Sequence, residues 1–257
     1  MTKLAVLLKA LSAGIIVIFT ASSASAATIN LTGTIRDFND THPDFEKELG
    51  AELGIVKSTL GADNKPVYAG GIGTATTHGQ AAFDQWYRDV AGVNQSKQYG
   101  ITLSDAGNPP GIFSYSNNSF FPIDNDLLGN QGRAHNFHFT YEIASKFTYQ
   151  GGETFTFTGD DDLWVFLDKK LAIDLGGVHT AETQSVNLDT LGLTLGKTYD
   201  FNLFFAERHT TQSNFAISTS IDLQSSSVPE PFTLCGTAVA GALGWWMKRK
   251  QQASRTA

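Results

Sequence analysis

Gly159-Asp160-Asp161-Asp162 sets three carboxylates side by side, directly ahead of the apolar run Leu163-Trp164-Val165-Phe166-Leu167. Adjacent carboxylates repel one another, and none can enter a packed strand without a partner. Either the triplet is a solvated turn, or a hard divalent cation such as Ca²⁺ neutralises it, drawing about six to eight oxygens from carboxylates, amide oxygens, backbone carbonyls and water. Further oxygens stand near predicted strand ends: Asp168, Asp174 ahead of Gly176-Gly177, Glu207 after Phe204-Phe205, and Asn214. Residues 27–227 carry 12 Lys and Arg against 24 Asp and Glu, a net charge of −12 by direct count, whereas the whole chain carries −7. That field attracts cations and repels phosphate backbones, so nucleic acid is excluded as a partner.

Two other chemistries compete for these residues. His135, His138 and Glu142 have transition-metal ligand types, but on a strand His138 and Glu142 share a face that His135 does not. His179 and His209 are isolated, and structural histidines are the expectation for all four. A paired-carboxylate glycosidase could be drawn from Asp160 to Asp162 with Glu207, which would need to sit about 5 to 9.5 Å apart. No spacing in the sequence fixes that distance. No nucleophile elbow, phosphate-cradling loop or zincin helix occurs, so the chain is expected not to be an enzyme. A sugar-stacking platform would need exposed aromatic rings in loops, and Trp86, Tyr115, Phe120 and Phe121 are the candidates.

The elements that must position these groups are strands. From Ala134 onward, short segments alternate apolar and polar residues, the period of a half-buried strand. Phe137, Phe139 and Tyr141 fall on one face, and Phe155 with Phe157 repeat the pattern. Further runs cover Asp162 to Leu167, Leu171 to Leu175, Ser185 to Leu188, Tyr199 to Phe205 and Phe215 to Leu223, punctuated by Gly151-Gly152, Gly176-Gly177, Gly192 and Gly196 as turns. Thr28 to Ile35 is an early strand, with brief strands at Ile101 to Leu103 and Phe113 to Tyr115. Pro43 to Leu49 and Gly79 to Val90 read as short helices, the first opened by proline. Sixteen of the 18 phenylalanines lie in residues 27–227, most at alternating positions, which assigns them to the core. An all-β, antiparallel β-sandwich with long loops and one or two short helices is expected.

The ends differ from this body. Lys3 opens an apolar segment from Leu4 to Phe19 that closes on Ala24-Ser25-Ala26, a small-x-small cleavage pattern, so residues 1–26 are expected to be a signal peptide cut after Ala26 by signal peptidase. The only cysteine, Cys235, lies in the C-terminal tail, so residues 27–227 can form no intrachain disulfide. That tail runs Val228-Pro229-Glu230-Pro231, the uncharged stretch Phe232 to Met247, then Lys248-Arg249-Lys250. Its order resembles the PEP-CTERM sorting signal, over residues 228–257. The resemblance implies a transmembrane helix held briefly in the inner membrane, exosortase cleavage near Pro229, Glu230 and Pro231, and release to the surface or matrix of a bacterium with an outer membrane. A permanent single-pass anchor is the alternative.

Ordered motifs through the body resemble the fibro-slime domain: Gly33-Thr34-Ile35-Arg36-Asp37-Phe38, His42-Pro43-Asp44-Phe45-Glu46, Phe120-Phe121-Pro122-Ile123-Asp124, His135 to Glu142, Gly159 to Phe166, Ile173 to His179 and Phe204 to His209. That family is similar to the protective-antigen, or PA-14, lectin-like superfamily, whose hallmark is an Asp-Asp pair entering a strand that ends in Asp-Gly. Here Lys169 follows Asp168 in place of the glycine. In the sugar-binding fungal adhesins of that superfamily the Asp-Asp peptide is cis and its Ca²⁺ holds sugar hydroxyls directly. The resemblance implies Ca²⁺ on Asp160 and Asp161, with Glu207 where those adhesins carry Asn; Asp174 and Asn214 are the weaker candidates. An exported adhesion or matrix module that binds calcium and carbohydrate, on an extracellular polysaccharide or glycan, is the resulting expectation. A purely structural surface protein with a stabilising metal site is the rival.

Overall fold

A computed structural model describes residues 26–46 and 49–225. The predicted signal peptide, apart from Ala26, and the predicted sorting signal, with Ala24, Pro229, Glu230 and Pro231, lie outside the described residues. Among the described residues no helix is long and apolar enough to cross a membrane.

Among the described residues twelve strands occur in chain order: β1 Thr28–Phe38, β2 Gly50–Ala51, β3 Asn94–Ser104, β4 Phe113–Asn117, β5 Phe139–Thr148, β6 Thr154–Asp160, β7 Asp162–Leu167, β8 Lys170–Leu175, β9 Gly177–Val178, β10 Glu182–Asn187, β11 Thr198–Glu207 and β12 Asn214–Thr219. Ten of them form one antiparallel sheet in the order β10-β6-β12-β4-β3-β1-β5-β11-β7-β8, and β2 pairs with β9. The expected all-β antiparallel architecture is met by one continuous sheet. The single sheet rolls so that distant strands face each other: Phe155 of β6 packs 5.2 Å from Phe201 of β11, centroid to centroid, and Phe157 packs on Phe205. Its two edges approach, with Gln184 of β10 accepting the backbone N–H of Asp174 in β8. The architecture is all-β and nearly barrel-like.

Two cores follow from the period of the strands. On β11, Phe201, Leu203 and Phe205 point into the rolled interior, where Leu163, Val165 and Leu167 of β7 meet them. The intervening Phe204 and Ala206, with Trp164 and Phe166, face outward into a second core. β7 is therefore buried on both faces, which is why it reads as a continuous apolar run. The outward face is covered by the segment from Phe38 to Tyr87, through Phe45, Ile55, Tyr68, Phe83 and Trp86.

That segment holds little regular structure. The predicted helix from Pro43 to Leu49 is absent over its described residues: Glu46 has a left-handed φ of 57°, and its N–H donates to the Arg208 carbonyl at 2.7 Å. A strong local start signal yields here to tertiary partners. The second predicted helix shrinks to one turn, α1 Gln80–Phe83, followed by turns that carry Trp86 and Tyr87 into the second core. Asp168 (φ 49°) and Lys169 (φ 65°) make the tight β7–β8 turn, so lysine here occupies a backbone conformation that glycine adopts more readily.

Candidate metal centre and cleft

The strand ends assemble the acidic centre. β6 ends at Asp160, β7 begins at Asp162, and the Asp160–Asp161 peptide bond between them is cis, as the adhesin resemblance implied. In register, Asn214 of β12 lies opposite Asp160, and Ala206 of β11 opposite Asp162, which brings Glu207 to the same end. All three aspartates and Glu207 are buried. The solvated-turn alternative is therefore excluded.

Each carboxylate has a separate environment. Asp160 accepts from both the backbone N–H and the side-chain amide of Asn214. Asp161 accepts from the backbone N–H groups of Arg208 (2.8 Å) and His179 (3.2 Å). Asp162 belongs to a different structure: it accepts from Arg208 Nε at 2.5 Å and Nη2 at 3.1 Å, and from Gly177 N–H at 2.7 Å. Glu207 is the exception, because its Oε2 is buried without a hydrogen-bond partner. The Ser213 hydroxyl is near enough to moderate its charge, yet it too makes no hydrogen bond.

Burial drives the Glu207 carboxyl well above its usual range, and the charges of Asp161 and Asp160 push it further. Asp161 is likewise raised, by burial first, with Asp162 and Asp160 adding to the shift and Arg208 opposing it. The cis peptide and the strand register bring Asp160, Asp161 and Glu207 to one end of the sheet, where their like charges oppose one another. A divalent cation would relieve that repulsion and give Oε2 a partner, whereas both oxygens of Asp160 and of Asp161 already accept hydrogen bonds. Among the described residues no three His, Cys, Asp or Glu side chains converge tightly enough to make a ligand shell alone. Backbone carbonyls and water would have to complete it.

Arg208 is the centre's unpredicted member. Its guanidinium is buried, stacks 4.7 Å from the Trp86 ring centroid, and donates to the carbonyls of Thr76 (2.7 Å) and Asp44 (3.2 Å). Burial opposes its charge, but Asp162 more than compensates and holds it protonated. Sequence reasoning missed this pair because its members are 46 residues apart and only the fold joins them. The Glu46 carboxylate adds a second tie: it accepts from His138 Nε2 (2.8 Å), Thr210 Oγ1 (2.6 Å) and Thr210 N–H (3.1 Å). Against burial, those hydrogen bonds lower its pKa to about 2. The loop after β11 is thus held from below and from the covering segment.

Above the centre opens a cleft of about 310 Å³ whose lining includes Asp160, Asp161, Leu49, Val178, His179 and His209. Glu207 is not in its wall. A groove of about 390 Å³ lies elsewhere, beside the exposed Lys146–Asp200 ion pair and Asn202.

Several sequence candidates are placed away from the cleft. Asp174 is not in the cleft lining and accepts instead from Trp164 Nε1 and from Gly54 N–H, each at 2.9 Å. Asn214 orients Asp160 through its amide nitrogen. Trp86 and Phe120 are fully buried core residues, which corrects their reading as an exposed sugar platform. Trp86 is spent on Arg208 and on donating to Asp44 Oδ2 at 3.0 Å. Phe121 stacks on His135 at 4.0 Å, and Tyr115 packs against Phe120 and Phe215, neither lining the cleft. The zinc-like trio disperses: His135 pairs with Asp124, His138 with Glu46, and Glu142 with Arg36 and Lys65.

The fold is a rolled antiparallel sheet with an acidic centre between its strand ends. Residues 78–231 match the PA14 domain, and the chain belongs to the PA14 domain family. Among curated proteins it is similar to Protein psiC of Dictyostelium discoideum, 42% identical over 216 residues covering 77% of this chain and 42% of psiC. Protein psiD of the same organism is 41% identical over 232 residues, 84% of this chain and 45% of psiD. The chain spans less than half the length of these two relatives. A solved PA14 sugar-binding domain from an RTX adhesin aligns over 77% of this chain and 95% of its own, at 9% identity and a TM-score of 0.32, too low to carry anything across.

Proposed function

We propose that this chain is an exported, non-enzymatic adhesion or matrix module that binds carbohydrate through Ca²⁺ held at Asp160 and Asp161, with Glu207 beneath them. The observation that carries this reading is the buried, unpartnered Glu207 Oε2 at the strand end that also carries Asp160 and Asp161, two residues of the cleft lining. Bound Ca²⁺ would supply a polarising centre for vicinal hydroxyls. The chain's own part is to hold both aspartates fixed, Asp160 through Asn214 and Asp161 through the amides of Arg208 and His179. The cleft is at the lower end of the size of small-ligand sites.

Glycoside hydrolysis is disfavoured on geometry. Asp162 is committed to Arg208 and Glu207 is outside the cleft lining, which leaves only the adjacent Asp160 and Asp161, whose oxygens already accept from Asn214, Arg208 and His179. The fibro-slime assignment, signal peptidase processing and exosortase sorting belong to this proposal and rest on the sequence motifs. The relatives are Dictyostelium proteins, so a bacterial surface is supported by the terminal segments alone.

A glycan array probed with calcium and with chelator tests the function. Chelator-sensitive binding to a defined set of glycans is expected. No binding under either condition removes the lectin reading in favour of the structural surface protein.

A further inference from the structure

We infer that Leu49 and Val178 form a methyl-recognition wall of the cleft, selecting glycans that carry a methyl group, as a 6-deoxyhexose or an N-acetylhexosamine does, over parent hexoses. The inference rests on the proposed carbohydrate function and deepens it. Leu49 is 69% exposed although it lines the cleft beside Asp160 and Asp161. It is held there by a built junction. β2, the next two residues, pairs Gly50 with Val178 and Ala51 with Gly177, and Glu52 N–H donates to the Gly176 carbonyl at 2.6 Å. The junction requires glycine: Gly177 has a φ of 98°, and a Cβ there would lie 2.3 Å from the Gly50 carbonyl oxygen. Gly177 N–H also donates to Asp162 at 2.7 Å, which ties the wall to the acidic centre.

The cleft lining also carries polar groups, Thr180, Thr211 and Gln212 beside the two histidines, so the apolar part of the wall is Leu49 and Val178. His179 Nδ1 lies 2.8 Å from the Thr180 carbonyl and Nε2 3.4 Å from that of Leu175, while His209 Nδ1 lies 2.8 Å from the Thr210 carbonyl. A methyl group set against Leu49 and Val178 buries apolar area, whereas a hydroxymethyl group there gives up water to an apolar surface.

The test is binding of matched methyl glycosides of galactose, glucose and mannose, each as parent, 6-deoxy and 2-acetamido forms, at saturating calcium. In at least one series the 6-deoxy or 2-acetamido form should bind about tenfold more tightly than the parent, a difference of about 1.4 kcal/mol, and which form wins identifies the methyl's source. Leu49→Ser should level that preference and leave the calcium-induced rise in melting temperature unchanged. Val178→Thr, which keeps the side-chain shape, should narrow the preference too. Equal binding of parent and methyl-bearing forms, or a preference that survives Leu49→Ser, overturns the wall while leaving the proposed function standing. Absence of binding to every glycoside overturns both.

Discussion

Asp37 shows how far burial can move a single carboxylate in this protein. It is fully buried on β1, Oδ2 accepts from Leu128 N–H at 2.7 Å, and Oδ1 makes no hydrogen bond. Burial raises its pKa to about 6. A folded pKa above the unfolded value means that its contribution to stability is complete below about pH 4 and is lost as pH rises through about 6. Asp37→Asn keeps an acceptor for Leu128 without the charge. Denaturant unfolding should find the variant and wild type similar near pH 4, and the variant more stable by up to about 3 kcal/mol near pH 7.5. A difference that does not grow with pH would refute this assignment. The residue scale also separates what the sequence disclosed from what it concealed. The acidic triplet and Glu207 announced themselves by type and position, because a run of carboxylates before an apolar strand demands compensation. The division of labour within the triplet was not legible, since Asp162 differs from its neighbours only by facing Arg208.

At the scale of elements, the aromatic alternation of β5, β6 and β11 was readable because one side chain in two enters the rolled interior. The covering segment was not. Glu46 adopts a left-handed conformation and binds His138 and Thr210, none of which a local pattern encodes. Arg208 is the tie between that segment and the strand ends, joining Asp162 to Thr76, Asp44 and Trp86. Replacing it strands a buried carboxylate. Arg208→Met should cost about 3 to 5 kcal/mol, and adding Asp162→Leu should restore part of that loss, because an apolar pair of similar volume tolerates burial. Urea unfolding of both variants measures this. A single variant within about 1 kcal/mol of wild type, the size of an exposed pair, would show that the ion pair does not hold the elements together.

For the whole molecule, the strand content foretold an all-β protein, but not the closure of one sheet upon itself, which depends on contacts between β6 and β11 across the interior. The same closure explains why Trp86 and Phe120, attractive as surface rings, are core. If the proposed export and sorting are right, intact mass of protein recovered from the native surface or medium should correspond to a chain beginning near Ala27 and ending near Pro229; retention of Trp245-Trp246 in the inner membrane would instead indicate an anchor. The central claim is that the cleft floor is a calcium site, and thermal melting with calcium or chelator tests it most directly. Ligand binding to the folded state should stabilise it by about 1.4 kcal/mol at ten times the dissociation constant and about 2.7 kcal/mol at a hundred times. Wild type should therefore melt higher in roughly 10 mM calcium, ten times the weak end of extracellular affinities. Asp160→Asn and Asp161→Asn should each lose most of that rise. A wild-type melt indifferent to calcium at that concentration, or a rise that persists undiminished in both variants, would contradict the account.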